Sequence, residues 1–494
     1  VGVRLFLINR SLWSDEIFSV LGAKTSLLNL RQYLIANESH PPFMYILLHV
    51  WMFFFTNEWG IRLLFVLFGV GSTVLMYAIG TRFVNEDFGL LAMLLYSVSP
   101  FAIWSAQEVR AYVLGVFFCL ASMYYFLVMV QEKRFNVRAF VLYAFSAAAS
   151  LYSFYFNIFI IAGCGLFLLV RLHKYGKVFV QWLWSVCLAG VLLIPLYPIF
   201  FDQMDLIEGH NVVLSQRGVY LLGVHIGTPI KAFFSTITGL DPLFWENPSI
   251  FLNAPLRYLY LAVAALLILF IVTGIRKSEK RLRWRSVDLW LFVIPAFLPA
   301  LLAFLYEFLF KGGVVARYFV ISSALFCFVL AAIAFTAGKR RHAVIIVGVM
   351  VLFMLLRMPW IYSPKQDWKD AASYVKKNFK KNDLVVAIFS NRLSFGYYFN
   401  IPVDLYTVSN LIKKTYVKSR NAWTLSMTPE DEAKFLALVS PPQTVWAVFS
   451  SGQRLEEEGF ADTLFYKADF RNVGIRKFQG VDVIVYSRQR KILQ

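Results

Sequence analysis

The feature that most constrains this chain is the recurrence of apolar segments of membrane-spanning length. A helix needs about 20 mostly apolar residues to cross a bilayer. After a short apolar run from Val1 to Ile8, such segments recur at 62–80, 88–106, 111–131, 139–155, 157–171, 178–201, 254–275, 287–309, 318–337 and 343–361. The first run is too short to span and is read as the end of a first helix whose earlier part is missing, which makes about eleven spans. Of the 494 residues, 59% are hydrophobic and 16% charged, whereas a soluble domain carries roughly 25% charged residues. A surface so poor in charge has to meet lipid. The pair at 139–171 is short and requires a tight turn near Tyr155–Asn157. The run 43–56 follows Pro41-Pro42 and is too short to span, so an interfacial or re-entrant helix is expected there.

The basic charge orients this pattern. With the start of the first helix in the cytoplasm and 43–56 left outside, the cytoplasmic loops collect Arg82, Lys133, Arg134, Arg138, Arg171, Lys174, Lys177, the cluster at 276–285 and Lys339 to Arg341. The opposite short loops are nearly free of Lys and Arg, as the positive-inside rule requires. The net charge of +19 is therefore an orientation signal and a contact for anionic membrane lipids, not a nucleic-acid patch. Three regions fall outside: the loops 9–61 and 202–253, and the tail 362–494. The expected domains are thus a membrane domain over 1–361 and a soluble one over 362–494. Cys119, Cys164, Cys187 and Cys327 stand singly in apolar segments, without metal-ligand spacing or a disulfide pattern.

The tail alternates helical and strand patterns. Lys365 to Phe379 reads as an amphipathic helix with Trp368, Ala372, Val375 and Phe379 on one face. Leu384 to Phe389, Thr444 to Phe449 and Val481 to Tyr486 read as strands, and Thr428 to Asp431 as a helix start. The expected fold is mainly α: a polytopic transmembrane bundle followed by a small extracytoplasmic α/β domain.

Residues able to do chemistry gather near the outer membrane surface. Trp13-Ser14-Asp15-Glu16 follows the first helix, and two adjacent carboxylates cannot be core residues of a span. They also fit a solvated loop with a helix-start acid. His40-Pro41-Pro42-Phe43 opens the short helix. Ser99-Pro100 and Gln107-Glu108-Val109-Arg110-Ala111-Tyr112 lie at the outer junction of two spans. Charges at that depth usually face a protein cavity, although a local salt bridge at a helix end would look the same.

In order and spacing, these elements resemble the polytopic GT-C glycosyltransferases, in particular the bacterial relatives of protein O-mannosyltransferases and lipid A aminoarabinose transferases. Arg62, Arg317-Tyr318 and Asp367-Trp368 also match habits of that family. The resemblance is clearest over 9–172. It implies transfer of a sugar from a polyprenyl phosphate to an acceptor outside the bacterial cytoplasmic membrane, with inversion. Asp15 would be the general base, Glu16 would orient it or the acceptor, and Glu108 would position Arg110 or sugar hydroxyls. Arg110, Arg317 and His40 would bind the donor phosphate, with Tyr112 and Tyr318 in support. No metal ligand set is assigned and no cofactor is required, although a divalent ion is compatible with these side chains. The chain departs from the family at His40, where aminoarabinose transferases tend to have Lys, and at Tyr152-Ser153, where many relatives have Thr-His. A lipid-linked sugar flippase and a polysaccharide polymerase or ligase are the competing functions.

Overall fold

The structure, a computed structural model, describes residues 1–204, 289–310 and 316–336, with parts of 344–355 and of the tail between 365 and 488. The expected span 254–275, most of 343–361, and the helix start at Thr428 lie outside the described residues. The chain divides into two compact units. One takes Val1–Ile8 and the helical chain from Thr25 onward; the other takes Asn9–Lys24 and the tail after Tyr362. The stretch Asn9–Lys24 was expected in the first outer loop of the membrane domain, yet it packs with the tail.

The first unit is helical. It contains α1 (Gly2–Leu5), α3 (Leu27–Asn37), α4 (Phe43–Trp51), α5 (Glu58–Phe83), α6 (Glu86–Ser97), α7 (Pro100–Ala106), α8 (Tyr112–Glu132), α9 (Val137–Ser153), α10 (Ile158–Val170), α11 (Leu172–Leu192), α12 (Trp290–Phe310) and α13 (Val320–Thr336). Asparagines start three of these helices. Asn57, Asn85 and Asn136 each accept an otherwise orphaned backbone N–H, from Gly60, Phe88 and Ala139. Among the described residues, three helices are long and apolar enough to cross a membrane: α5, α8 and α11. The pair α6 and α7 makes a fourth if counted as one broken span.

That pair corrects the expected continuous span at 88–106. The axis turns by 65° between α6 and α7. The cause is Pro100 at the first turn of α7: it has no N–H to continue a helix, and it pushes Ser99 into extended backbone (φ −65°, ψ 122°). The short pair at 139–171 does turn at a 3₁₀ segment, Tyr155–Asn157. With 17 residues, α9 is about 25 Å long, against a hydrocarbon core of about 30 Å. The nine residues of α4 are too few to span, as expected.

Apolar side chains of α5 to α13 form one buried cluster. In lipid such a core is held by close packing, because lipid tails are as apolar as leucine. Small residues permit the approach. A Cβ on Gly89 of α6 would stand 2.7 Å from the Tyr77 carbonyl oxygen and 2.8 Å from the Thr81 nitrogen of α5. All four cysteines are free, with Cys187 exposed and the rest buried.

Among the described residues, the second unit combines α2 (Ser14–Lys24) with α14 (Trp368–Asn378), α15 (Asn391–Phe399) and six strands: β1 (Leu384–Ala387), β2 (Lys413–Val417), β3 (Ala422–Ser426), β4 (Thr444–Ser450), β5 (Phe470–Phe478) and β6 (Val481–Arg488). Four form a sheet in the order β1-β4-β6-β5, with β1 parallel to β4 and the other pairs antiparallel. The strands β2 and β3 pair separately. Trp368, Ala372 and Val375 are buried on one face of α14 as their spacing predicts, together with Ala371. Asp367 caps that helix by accepting the Asp370 N–H. The hairpin between β5 and β6 turns at Gly480, whose φ of +65° suits glycine.

Candidate active site

In the helical unit the break after α7 builds a charged cluster. The chain leaves α7 at Gln107 and enters α8 at Tyr112, and every residue of the turn between them is buried. Gln107 and Arg62 hold the scaffold. Gln107 Nε2 donates to the Arg4 and Phe6 carbonyls, each at 3.0 Å, covering oxygens that the end of α1 leaves without helical partners. Arg62, fully buried, donates to the Ile8 carbonyl at 2.7 Å.

Arg110 reaches from this turn to the loop between α3 and α4. Its Nη1 donates to Glu38 Oε1 at 2.7 Å and its Nη2 to Glu38 Oε2 at 3.3 Å. The same Nη2 lies 3.3 Å from His40 Nδ1, which is itself 3.3 Å from Glu38 Oε2. An arginine N–H can only donate, so His40 accepts from Arg110 when its proton sits on Nε2, and donates to Glu38 when it sits on Nδ1. The side chains of Glu38 and Arg110 are each 6% exposed. Burial by itself would raise the Glu38 pKa. The Arg110 charge and the hydrogen bonds from His40 and Arg110 outweigh it and bring the carboxyl down to about 2. Gln203 fixes the loop, donating to the Glu38 and His40 carbonyls at 2.9 and 3.1 Å while accepting from the Tyr155 hydroxyl.

Aromatic rings wall the cluster. Tyr112 meets the His40 ring edge-on at 5.6 Å between centroids, and Phe154 stacks on it at 6.1 Å. Tyr318 packs against Phe156 at 4.5 Å and lies 6.5 Å from Tyr112. Of the expected site residues, His40, Arg110, Tyr112 and Tyr318 therefore come together. Glu108 is buried in the same turn. Arg317 stands in a 3₁₀ turn, Ala316–Phe319, with its side chain outside the described residues. Arg110 is held by the carboxylate of Glu38. Glu38 and Gln203 escaped the sequence analysis. The one local signal for Glu38 was an acid two residues before His40.

Asp15 and Glu16 lie in the second unit, in the first turn of α2. Ile17 N–H bonds to the Trp13 carbonyl, which makes Trp13 the cap. Glu16 Oε2 accepts the Trp13 N–H at 3.2 Å, one half of a capping box. Glu16 is fully buried and Asp15 half-buried. The helix-start role of an acid in this run is thus filled by Glu16. Among the described residues no group of three or more His, Cys, Asp or Glu side chains could hold a metal ion.

Residues 39–199, which include the His40–Arg110 cluster, match the family model described as dolichyl-phosphate-mannose-protein mannosyltransferase. In fold the chain is similar to ArnT from Cupriavidus metallidurans in the apo state, at 13% identity and a TM-score of 0.57, covering 98% of this chain and 96% of that one. The same protein bound to undecaprenyl phosphate matches at 13% identity and a TM-score of 0.55, with the same coverage. No curated protein sequence matches the chain. The chain accordingly has an ArnT-like fold, as the sequence motifs imply, and residues 39–199 carry the match to the mannosyltransferase family model.

Proposed function

We propose that this chain is a membrane glycosyltransferase that moves a sugar from a polyprenyl-phosphate donor to an acceptor outside the bacterial cytoplasmic membrane. The observation that carries this reading is the buried Arg110–Glu38–His40 cluster inside the segment that matches the mannosyltransferase family model. The structure of ArnT with undecaprenyl phosphate supports the same donor chemistry here.

In the proposed reaction an acceptor hydroxyl attacks the anomeric carbon. The new carbon–oxygen bond forms as the bond to the phosphate oxygen breaks, with inversion. The bonding pair leaves with the lipid phosphate, and the hydroxyl proton goes to Asp15. A phosphate is already a stable anion, so its departure calls for positive charge and hydrogen-bond donors, not for a general acid. Arg110, Arg317 and His40 are assigned to that phosphate, with Tyr112 and Tyr318 in support and Glu108 positioning Arg110 or sugar hydroxyls. Glu38 holds Arg110 in place, and Glu16 fixes the helix start that carries Asp15. The chemistry needs no resident cofactor; activity after EDTA treatment tests a divalent ion. The active face and the tail are assigned to the outside of the membrane.

The test is purified protein with a labelled polyprenyl-phosphate sugar. Asp15→Asn should lower turnover about 10²–10⁴-fold, the usual cost of losing a positioned base, while donor binding and melting temperature hold. Near-normal turnover would remove Asp15 as the base. Movement of the labelled lipid across a vesicle membrane without release of lipid phosphate would make the chain a flippase.

A further inference from the structure

The first turn of α2 is fastened to the tail by one side chain. Gln366 Oε1 accepts the Ser14 Oγ–H at 2.6 Å, the Ser14 N–H at 3.1 Å and the Trp368 Nε1–H at 3.0 Å. Three donors at one end of the amide settle which end is oxygen. Its Nε2 donates to Ser450 Oγ at 3.1 Å. The buried Ser394 hydroxyl donates in turn to Ser14 Oγ at 3.0 Å, which leaves the Ser14 proton for Gln366. Linked hydrogen bonds of this kind strengthen one another. Further ties run along the same segment: Tyr398 Oη accepts the Leu12 N–H at 2.7 Å, and Ser11 Oγ accepts the Lys369 N–H at 3.2 Å. The Lys365 ammonium sits 3.9 Å from the centre of the Trp13 ring.

The pattern is specific to the start of the helix. The first amides of any helix have no partner within it. Here Glu16 takes the Trp13 N–H from within α2, and Gln366, 352 positions away, takes the Ser14 N–H. Asp15 lies between two residues that are both fixed, while its own side chain stays half exposed. We infer that Gln366 is a positioning residue: it clamps the first turn of α2 so that the Asp15 carboxylate is held in one place for the transfer step. This rests on the proposal that Asp15 is the base. It gives the tail a defined task in the reaction, that of holding the helix that carries the base.

A misplacement of about 1 Å can cost about 10²-fold in rate, so the clamp should show in turnover before it shows in binding. Gln366→Met keeps the length of the side chain and removes the acceptor. Gln366→Glu keeps an acceptor for Ser14 and Trp368, and the Ser450 hydroxyl can turn to donate to it. In the full-length protein at a saturating lipid donor, Gln366→Met should lose kcat by about 10²-fold with the donor KM unchanged. Hydrogen exchange in the peptide covering 9–24 should quicken in that variant, and Gln366→Glu should restore most of both. Comparable kcat in Gln366→Met and wild type, with Asp15→Asn inactive, would overturn the clamp and leave the base assignment standing. Lost kcat without faster exchange in 9–24 would overturn it as well. An active Asp15→Asn would instead bring down the base assignment itself, and the clamp with it.

Discussion

Replacing Arg110 with Met tests the charged cluster most directly. Methionine keeps much of the packing of the arginine stem and leaves Glu38 buried without the guanidinium. The lowering of the Glu38 carboxyl from an ordinary 4.5 to about 2 corresponds to about 3 kcal/mol, at about 1.36 kcal/mol for each pH unit. Removing one partner of a buried ion pair typically costs about 3–5 kcal/mol. With side chains 6% exposed, solvent screening takes little from this figure. Arg110→Met should therefore lower the melting temperature in detergent by on the order of 5–10 °C at pH 7.5.

The pH dependence has a definite sign. In the wild type, a depressed carboxyl pKa stabilises the fold above about 4.5, and that contribution is lost as pH falls toward 2. In Arg110→Met the largest opposing influence is gone, and burial raises the pKa against His40 alone. The penalty is then present at neutral and alkaline pH and is relieved as the carboxyl protonates. The stability gap between wild type and variant should thus be largest near pH 8 and should narrow below pH 5. Glu38→Gln combined with Arg110→Met removes both charges and should recover much of the stability without recovering turnover. His40 faces position 38 in every variant, and its ion pair with Glu38 is lost in the double variant together with that of Arg110. An equal gap at pH 8 and pH 5, or a double variant no more stable than Arg110→Met, would refute the pairing argument.

Two further outcomes follow from the fold and the charge pattern. A cysteine at Ser373, exposed on α14, should react with an impermeant maleimide in intact cells, and one at Arg134, exposed before α9, should not; both are made without Cys187. Labelling at Arg134 would reverse the proposed orientation. Gly89→Ala should destabilise the bundle by about 1–3 kcal/mol, because the backbone of α5 leaves its methyl no room; an unchanged melting temperature would show that α5 and α6 can separate freely.

What the sequence determined by itself is what depends on neighbours a few residues apart. Apolar runs marked the helices, and the alternation of the tail marked α14, β1, β4 and β6. The bend after α6 falls at Ser99-Pro100, inside an apolar run that reads as one continuous span. Two members of the cluster, His40 and Arg110, stand in motifs singled out in the sequence. The third, Glu38, is 72 positions from Arg110, and nothing local distinguishes it from any loop acid. Only the tertiary fold, by bending the chain at Pro100 and fixing the 38–40 loop through Gln203, makes it the partner of that arginine. Gln366 is the extreme case. A glutamine before a helix has no meaning until Ser14 is brought to its oxygen. A hydrogen bond acts only within about 3 Å, so a pair separated by most of the chain leaves no mark in the sequence around either partner.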